Sequence, residues 1–204
     1  MPHTHDRPLR ILMLSTSDTG GGAAEACRRL LEVFEQVPQV EVRMLVLNQR
    51  TDSSSIMSVA RSPLLKVLGK VFFLAERAEI YLKNGRSRRN LFRVSTARFG
   101  FDVCHHPWVK WADILHLHWI NQGFLSLPSL HRLARLGKPI FSTLHDLWAT
   151  TGICHLPLEF GIMGRKLCSR YELGCGCCPL LMSEDEQDLS PQILQKKSFL
   201  AQLP

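Results

Sequence analysis

The period of the apolar positions changes several times along the chain, and each change marks an element. Leu9, Ile11, Leu12, Met13 and Leu14 form a short apolar run without regular alternation, the pattern of a strand covered on both faces. Gly20, Gly21 and Gly22 follow. From Ala23 the residues Ala26, Cys27, Leu30, Leu31 and Phe34 then recur at helical spacing between Glu25, Arg28, Arg29, Glu32 and Glu35. Residues 40–47 alternate and then turn fully apolar, predicting a second strand, while 48–58 are polar and read as loop. Ser62 as cap and Pro63 at the first helical position open a helix. Its residues Leu64, Val67, Leu68, Val71, Ala75, Ala78 and Leu82 share one face. A strand is predicted over 112–118, a helix from Leu127 to Leu136 ended by Gly137, and a strand over 139–144. Ser190 and Pro191 open a last helix over 190–204.

Strands alternating with helices predict an α/β fold, a Rossmann-like parallel sheet with helices on both faces. One domain is expected over 1–204, interrupted by a cysteine-rich segment at 150–181. In such sheets ligands gather beyond the carboxyl ends of the strands. The glycine triplet, His118-Trp119-Ile120-Asn121 and His145-Asp146 all fall at that edge.

Composition sharpens the picture in two respects. Lys and Arg number 25 against 18 Asp and Glu, a surplus that favours anionic partners. Ten of these cations lie between 61 and 98, against Glu76 and Glu79 alone. Either this basic helix lies on an anionic membrane surface, or it packs on the core with a solvated basic face. Nucleic acid is not an expected partner, since no recognition module appears and aromatic residues are sparse there. The opening MPHTHDRPLR is polar, unlike a signal peptide, and no apolar run reaches the ~20 residues of a spanning helix. The expected location is cytoplasmic, peripheral on the inner face of the membrane if the basic region docks there.

Three places carry candidate chemistry. The glycine triplet opening onto a helix suits an anion, because free N–H groups and the helix dipole point at it; an ordinary tight turn would also use it. It matches neither G-x-G-x-x-G nor the P-loop pattern. His145, beside Asp146 past a buried strand, either hydrogen-bonds a bound hydroxyl or phosphate or is satisfied by a carbonyl. Leu115 and Leu117 alternate with His116 and His118, so one histidine is expected to face inward in a structural role. Cys154, Cys168, Cys175 and Cys178 in a loop-rich segment fit a structural zinc, two disulfides or unpaired thiols. His155 could replace one zinc ligand, and four cysteines leave no open position for a catalytic metal.

TSDTGGGAAEACRRL, ADILHLHWINQGFLSL, GKPIFSTLHDLWATTGICH and GCGCCPLL, in that order and spacing, resemble family-4 glycosyltransferases of the bacterial polysaccharide and capsule type. The resemblance covers nearly the whole chain and is weakest from 53 to 89. It implies the N-terminal half of a GT-B fold and retaining transfer from a UDP- or GDP-sugar to a glycan or lipid-linked acceptor, without a catalytic cofactor. It also implies that Gly20, Gly21 and Gly22 lie near the donor phosphates and the acceptor. His145 would contact the transferred sugar, with His118, Trp119 and Asn121 on the acceptor side and Asp146 beside them. The four cysteines match a cysteine cluster of this subgroup. The family's nucleotide-sugar-binding C-terminal domain has no counterpart here. The chain is therefore expected to be inactive alone, that half being either lost by truncation or carried by a separate polypeptide. A non-catalytic module binding membrane or protein through 61–98 is the alternative expectation.

Overall fold

The computed structural model describes residues 7–161 and 164–202. The first six residues of the polar N-terminal stretch and the last two of the predicted terminal helix lie outside the described residues. Five parallel strands form the central sheet: β1 (Leu9–Ser17), β2 (Val40–Asn48), β3 (Ile56–Ser58), β4 (Ile114–Leu117) and β5 (Ile140–Ser142), in the order β3-β2-β1-β4-β5. The chain winds outward from β1 to one edge, then crosses to β4 and winds to the other. This is the Rossmann-like doubly wound order, and β1 and β4 flank its switch point.

Period-two geometry explains why the first strand lacks regular alternation in sequence. Ile11 and Met13 enter one core with Val42, Met44, Val46 and Ile56; Leu12 and Leu14 enter the other with Leu45, Leu115 and Leu117. Both faces are dry from Ile11 to Leu14, so every residue of that stretch is apolar. Helix α1 (Gly22–Phe34) closes the first core with Cys27 and Leu31. Three helices contribute to the second: α2 (Pro63–Lys83) through Ile80, α3 (Pro107–Trp111) through Val109, and α4 (Leu127–Ala134) through Leu130 and Leu133. The last helix, α5 (Leu189–Lys197), adds Leu189 and Ile193 to it.

Several predicted boundaries move. The polar stretch 48–58 hides strand β3, and α3 was not anticipated. Asp188, not Ser190, caps α5, accepting from the Ser190 N–H at 2.7 Å. An antiparallel pair, β6 (Leu158–Gly161) and β7 (Gly164–Leu167), stands apart from the main sheet within the cysteine-rich segment.

The larger correction concerns α2. Of its two readings, the one that packs the apolar side on the core is overturned: Leu64, Val67, Val71 and Leu82 are all exposed, Leu64 by 77%. The buried side carries Gly69, Glu76, Arg77 and Ile80. Glu76 is buried because its carboxylate accepts from the N–H groups of Thr96 and Ala97, both at 2.8 Å, and pairs with Arg77 at 2.5 Å. Periodicity identifies a common face; it does not say what covers that face.

Candidate functional site

Beyond the carboxyl ends of β4 and β5 lies a pocket of about 470 Å³. His118, Trp119 and Asn121 reach it from the turn after β4, and His145 and Asp146 from the turn after β5. The β4 turn is held against the end of β1. The Thr16 N–H donates to the Trp119 carbonyl at 2.6 Å, and the Thr16 hydroxyl to the Asn121 carbonyl at 2.9 Å. Five of the residues singled out by sequence thus share one cavity.

Its polar groups fall into two sets. The first is a row of imidazoles. His116 on β4 and His118 just past its end project to the same side, ring centroids 4.3 Å apart; His118 is buried and His116 half-buried. Residues two apart on a strand project to the same side. His116 Nε2 meets the Thr143 hydroxyl at 2.8 Å, and His118 Nδ1 meets His145 Nε2 at 3.0 Å. Burial lowers the pKa of all three; it pushes His118 down to about 3, with its two histidine neighbours adding to the shift. At neutral pH the row is uncharged. Since one proton joins His118 to His145, the outer nitrogens of that pair are complementary, one a donor and the other an acceptor. His118 Nε2, and both amide atoms of Asn121, are buried without a hydrogen-bond partner.

The second set surrounds Asp146. Oδ2 accepts from Trp119 Nε1 at 2.9 Å and from His155 Nδ1 at 2.6 Å, and Oδ1 from the Trp148 N–H at 2.8 Å. Burial works against this carboxylate, but those donors outweigh it and hold its pKa below the usual value. Asp146 therefore positions Trp119 and has little capacity left for a ligand. His155 Nε2 meets the Ser95 hydroxyl at 3.0 Å. Serine, histidine and aspartate thus stand in the order of a hydrolase triad. Ser95, however, is fully buried and lines none of the described cavities, so the string is a brace. With both ring nitrogens engaged, His155 is not placed to replace a metal ligand.

Lys197, which sequence reasoning missed, also lines the pocket. It is 1% exposed, its Nζ donates to the Trp148 carbonyl, and it stands 4.0 Å from the centre of the Trp148 ring. Burial pushes it down to about 7, against nearby Cys154, Cys175 and Asp146, which favour its charge. No spacing rule singles out a lysine at the end of an ordinary helix.

The glycine triplet follows β1 at the same edge of the sheet but does not line this pocket. A Cβ on Gly21 or Gly22 would meet nothing within 4 Å, whereas one on Gly20, at φ +88°, would stand 3.1 Å from Arg50 Nη1. Packing therefore does not require glycine at two of the three positions.

Cys154, Cys168, Cys175 and Cys178 line a separate small pocket of about 20 Å³. Among the described residues no disulfide links any of the seven cysteines. Burial raises the pKa of Cys154 and Cys175, and of Cys178 to about 12. Four cysteines in the lining of one pocket are the donor type of a structural zinc. As the side chains stand, no group of three or more His, Cys, Asp or Glu among the described residues is arranged to hold a metal ion. No helix of the described residues is long and apolar enough to cross a membrane.

Comparison with known proteins finds no matching family model, no matching curated protein and no matching solved structure. The class is set by the fold alone: a Rossmann-like α/β domain with its pocket at the switch-point edge.

Proposed function

We propose that this chain is the acceptor-side domain of a retaining glycosyltransferase resembling family 4, transferring a sugar from a UDP- or GDP-sugar to a glycan or lipid-linked acceptor. The observation that carries the reading is the unpartnered set of His118 Nε2 and the Asn121 amide at the pocket after β4. Buried polar groups left without partners are costly, and a polyhydroxylated ligand relieves that cost. Around them Ile120, Leu130, Leu144 and Leu194 give apolar walls for the faces of a sugar ring.

In this reading His145 and His118 hold sugar hydroxyls as neutral imidazoles, one outer nitrogen giving a proton and the other accepting one. Asp146 keeps Trp119 in place and takes no proton. Transfer breaks the bond from the anomeric carbon to the phosphate oxygen and forms one to an acceptor hydroxyl oxygen, whose proton passes to the departing diphosphate. The charge left on the diphosphate needs cations aimed at it, which the resemblance assigns to a second domain, from a longer protein or another polypeptide. Cys154, Cys168, Cys175 and Cys178 would hold zinc in a structural role, bracing the segment behind Trp148.

Trp119 and Trp148 line the pocket, so intrinsic fluorescence reports its occupancy. A saturable change with UDP- or GDP-sugars, lost in Asn121→Ala, is expected. Sugar transfer is expected only when a polypeptide carrying the donor-binding half is added. No fluorescence change and no transfer in either mixture would overturn the reading.

The exposed stripe of α2 favours a second reading for the basic region. Leu64, Val67, Val71 and Leu74 are apolar and exposed beside Lys66 and Lys70, the composition of a helix lying in an anionic bilayer surface. Flotation with anionic liposomes that is salt-sensitive and lost in Leu64→Ser/Val71→Ser is expected. Equal recovery of that variant and the parent would exclude membrane docking through α2.

A further inference from the structure

A second and larger cleft, of about 820 Å³, opens on the β2 side of the sheet. Arg50 enters it from the turn after β2, Arg61 from just ahead of α2, and Lys66 and Lys70 from successive turns of α2. Asp52 is the one carboxylate in its lining. None of the four cations takes part in an ion pair among the described residues.

Asp18, which is bonded to the Arg50 backbone, and both acids of α2 are committed elsewhere. Asp18 is fully buried and accepts from the N–H groups of Arg50 and Thr51 and from the Thr51 hydroxyl. Glu76 is taken by Thr96, Ala97 and Arg77, and Glu79 by the Thr96 hydroxyl and Arg98. Like charges at Lys66 and Lys70 repel along the helix. The cleft thus gathers four cations that no ion pair among the described residues neutralises. The Gln122 amide also lines the cleft, a neutral donor among them.

We propose that this cleft binds a ligand carrying two phosphate groups, a diphosphate being the smallest. Four cations against one acid call for more than one negative charge. Arginine forks with lysine point charges recognise phosphate oxygens, and the volume accommodates more than a single phosphate. The site shares no lining residue with the histidine pocket and stands whether or not that pocket takes a sugar. The phosphates can arrive on a soluble molecule or as headgroups at a lipid surface beside the α2 stripe.

Calorimetric titration of the full chain with inorganic pyrophosphate tests the site. Saturable binding that weakens with added KCl is expected. Lys66→Ala/Lys70→Ala should weaken it about tenfold or more. Arg50→Gln, on a different element, should do the same, so the test survives if the helix substitutions unfold the protein. Lys83→Ala, an exposed cation of α2 outside the cleft, should leave it unchanged. No saturable binding, or equal affinity in the cleft variants and Lys83→Ala, overturns the proposal. Phosphatidylcholine vesicles with and without phosphatidate separate the sources. Capture of phosphatidate vesicles that pyrophosphate displaces assigns a headgroup, and pyrophosphate binding without capture assigns a soluble ligand. Either result upholds the site.

Discussion

Burial moves His118 and Lys197 in the same direction, away from charge, but over different pH windows. His118 ordinarily titrates at 6.5 and is held down to about 3 in the fold, so the unfolded chain binds a proton that the folded one refuses. Its effect on stability is nil above 6.5 and grows more unfavourable as pH falls toward 3. His118→Gln should lose less stability than the parent between pH 6.5 and 4, measured by urea midpoints; parallel curves would show that His118 is not held neutral. For Lys197 the window runs from about 7 to its ordinary 10.5, and there the unfolded chain again holds the extra proton. Stability therefore rises with pH across that window, and Lys197→Met should flatten the rise. The glycine loop gives a contrasting expectation. Since a Cβ at Gly21 or Gly22 meets nothing and the Gly21 φ of 172° is open to any residue, Gly21→Ala and Gly22→Ala should change stability by no more than about 0.5 kcal/mol. Any loss of ligand binding in those variants then belongs to approach of the ligand and not to folding.

Helix α2 shows what an element's sequence does and does not disclose. Its start is legible, because Ser62 accepts from the Leu65 N–H and Pro63 occupies the first turn. Its orientation is not, because the side that meets the domain is held by charge. Glu76 looks in sequence like any solvated glutamate, yet it closes the backbone of 96–97 onto the helix. Glu76→Ala would leave two buried N–H groups and Arg77 without their acceptor, and a loss of about 3–5 kcal/mol is expected in chemical denaturation. A loss under ~1 kcal/mol would mean that Arg77 and the 96–97 backbone find other partners. The strands present the opposite case. β1 and β2 were legible because burial on two faces writes an apolar run directly into sequence, whereas β4 and β5 were legible from short apolar stretches that are buried only in part. β3 was not, since Ile56–Ser58 is three residues long with only Ile56 fully buried. Likewise His118, Trp119, Asn121, His145 and Asp146 could be placed at one edge from strand order alone. Ser95, His155 and Lys197 are brought to them by long-range folding that leaves no local pattern.

At the scale of the whole molecule, the cysteine-rich segment belongs to the same body as the sheet. Ile153, Cys178, Leu180, Leu181, Leu189 and Ile193 lie in one continuous core with Leu12, Leu14, Leu115 and Leu117. Trp148 joins that core, and its indole N–H donates to the Ser95 carbonyl at 2.8 Å. Lys197 reaches the Trp148 carbonyl from the final helix. A segment that built its own core could melt separately, but this one has only half of a core and shares the rest with the strands. The chain should therefore unfold in a single calorimetric transition, with calorimetric and van't Hoff enthalpies in agreement. Cys178→Ser, which places a hydroxyl in the buried position of a thiol, should lower the Tm of that one transition and not create a second. Two resolved transitions, with the cysteine substitution moving only the lower, would make the segment an independent unit. The pocket at His145 would then have a wall that opens on its own, since Trp148, Thr150 and Lys197 line it from the segment's side. Under a single transition that wall is as rigid as the sheet, and the unpartnered groups of His118 and Asn121 stay preorganised for whatever enters.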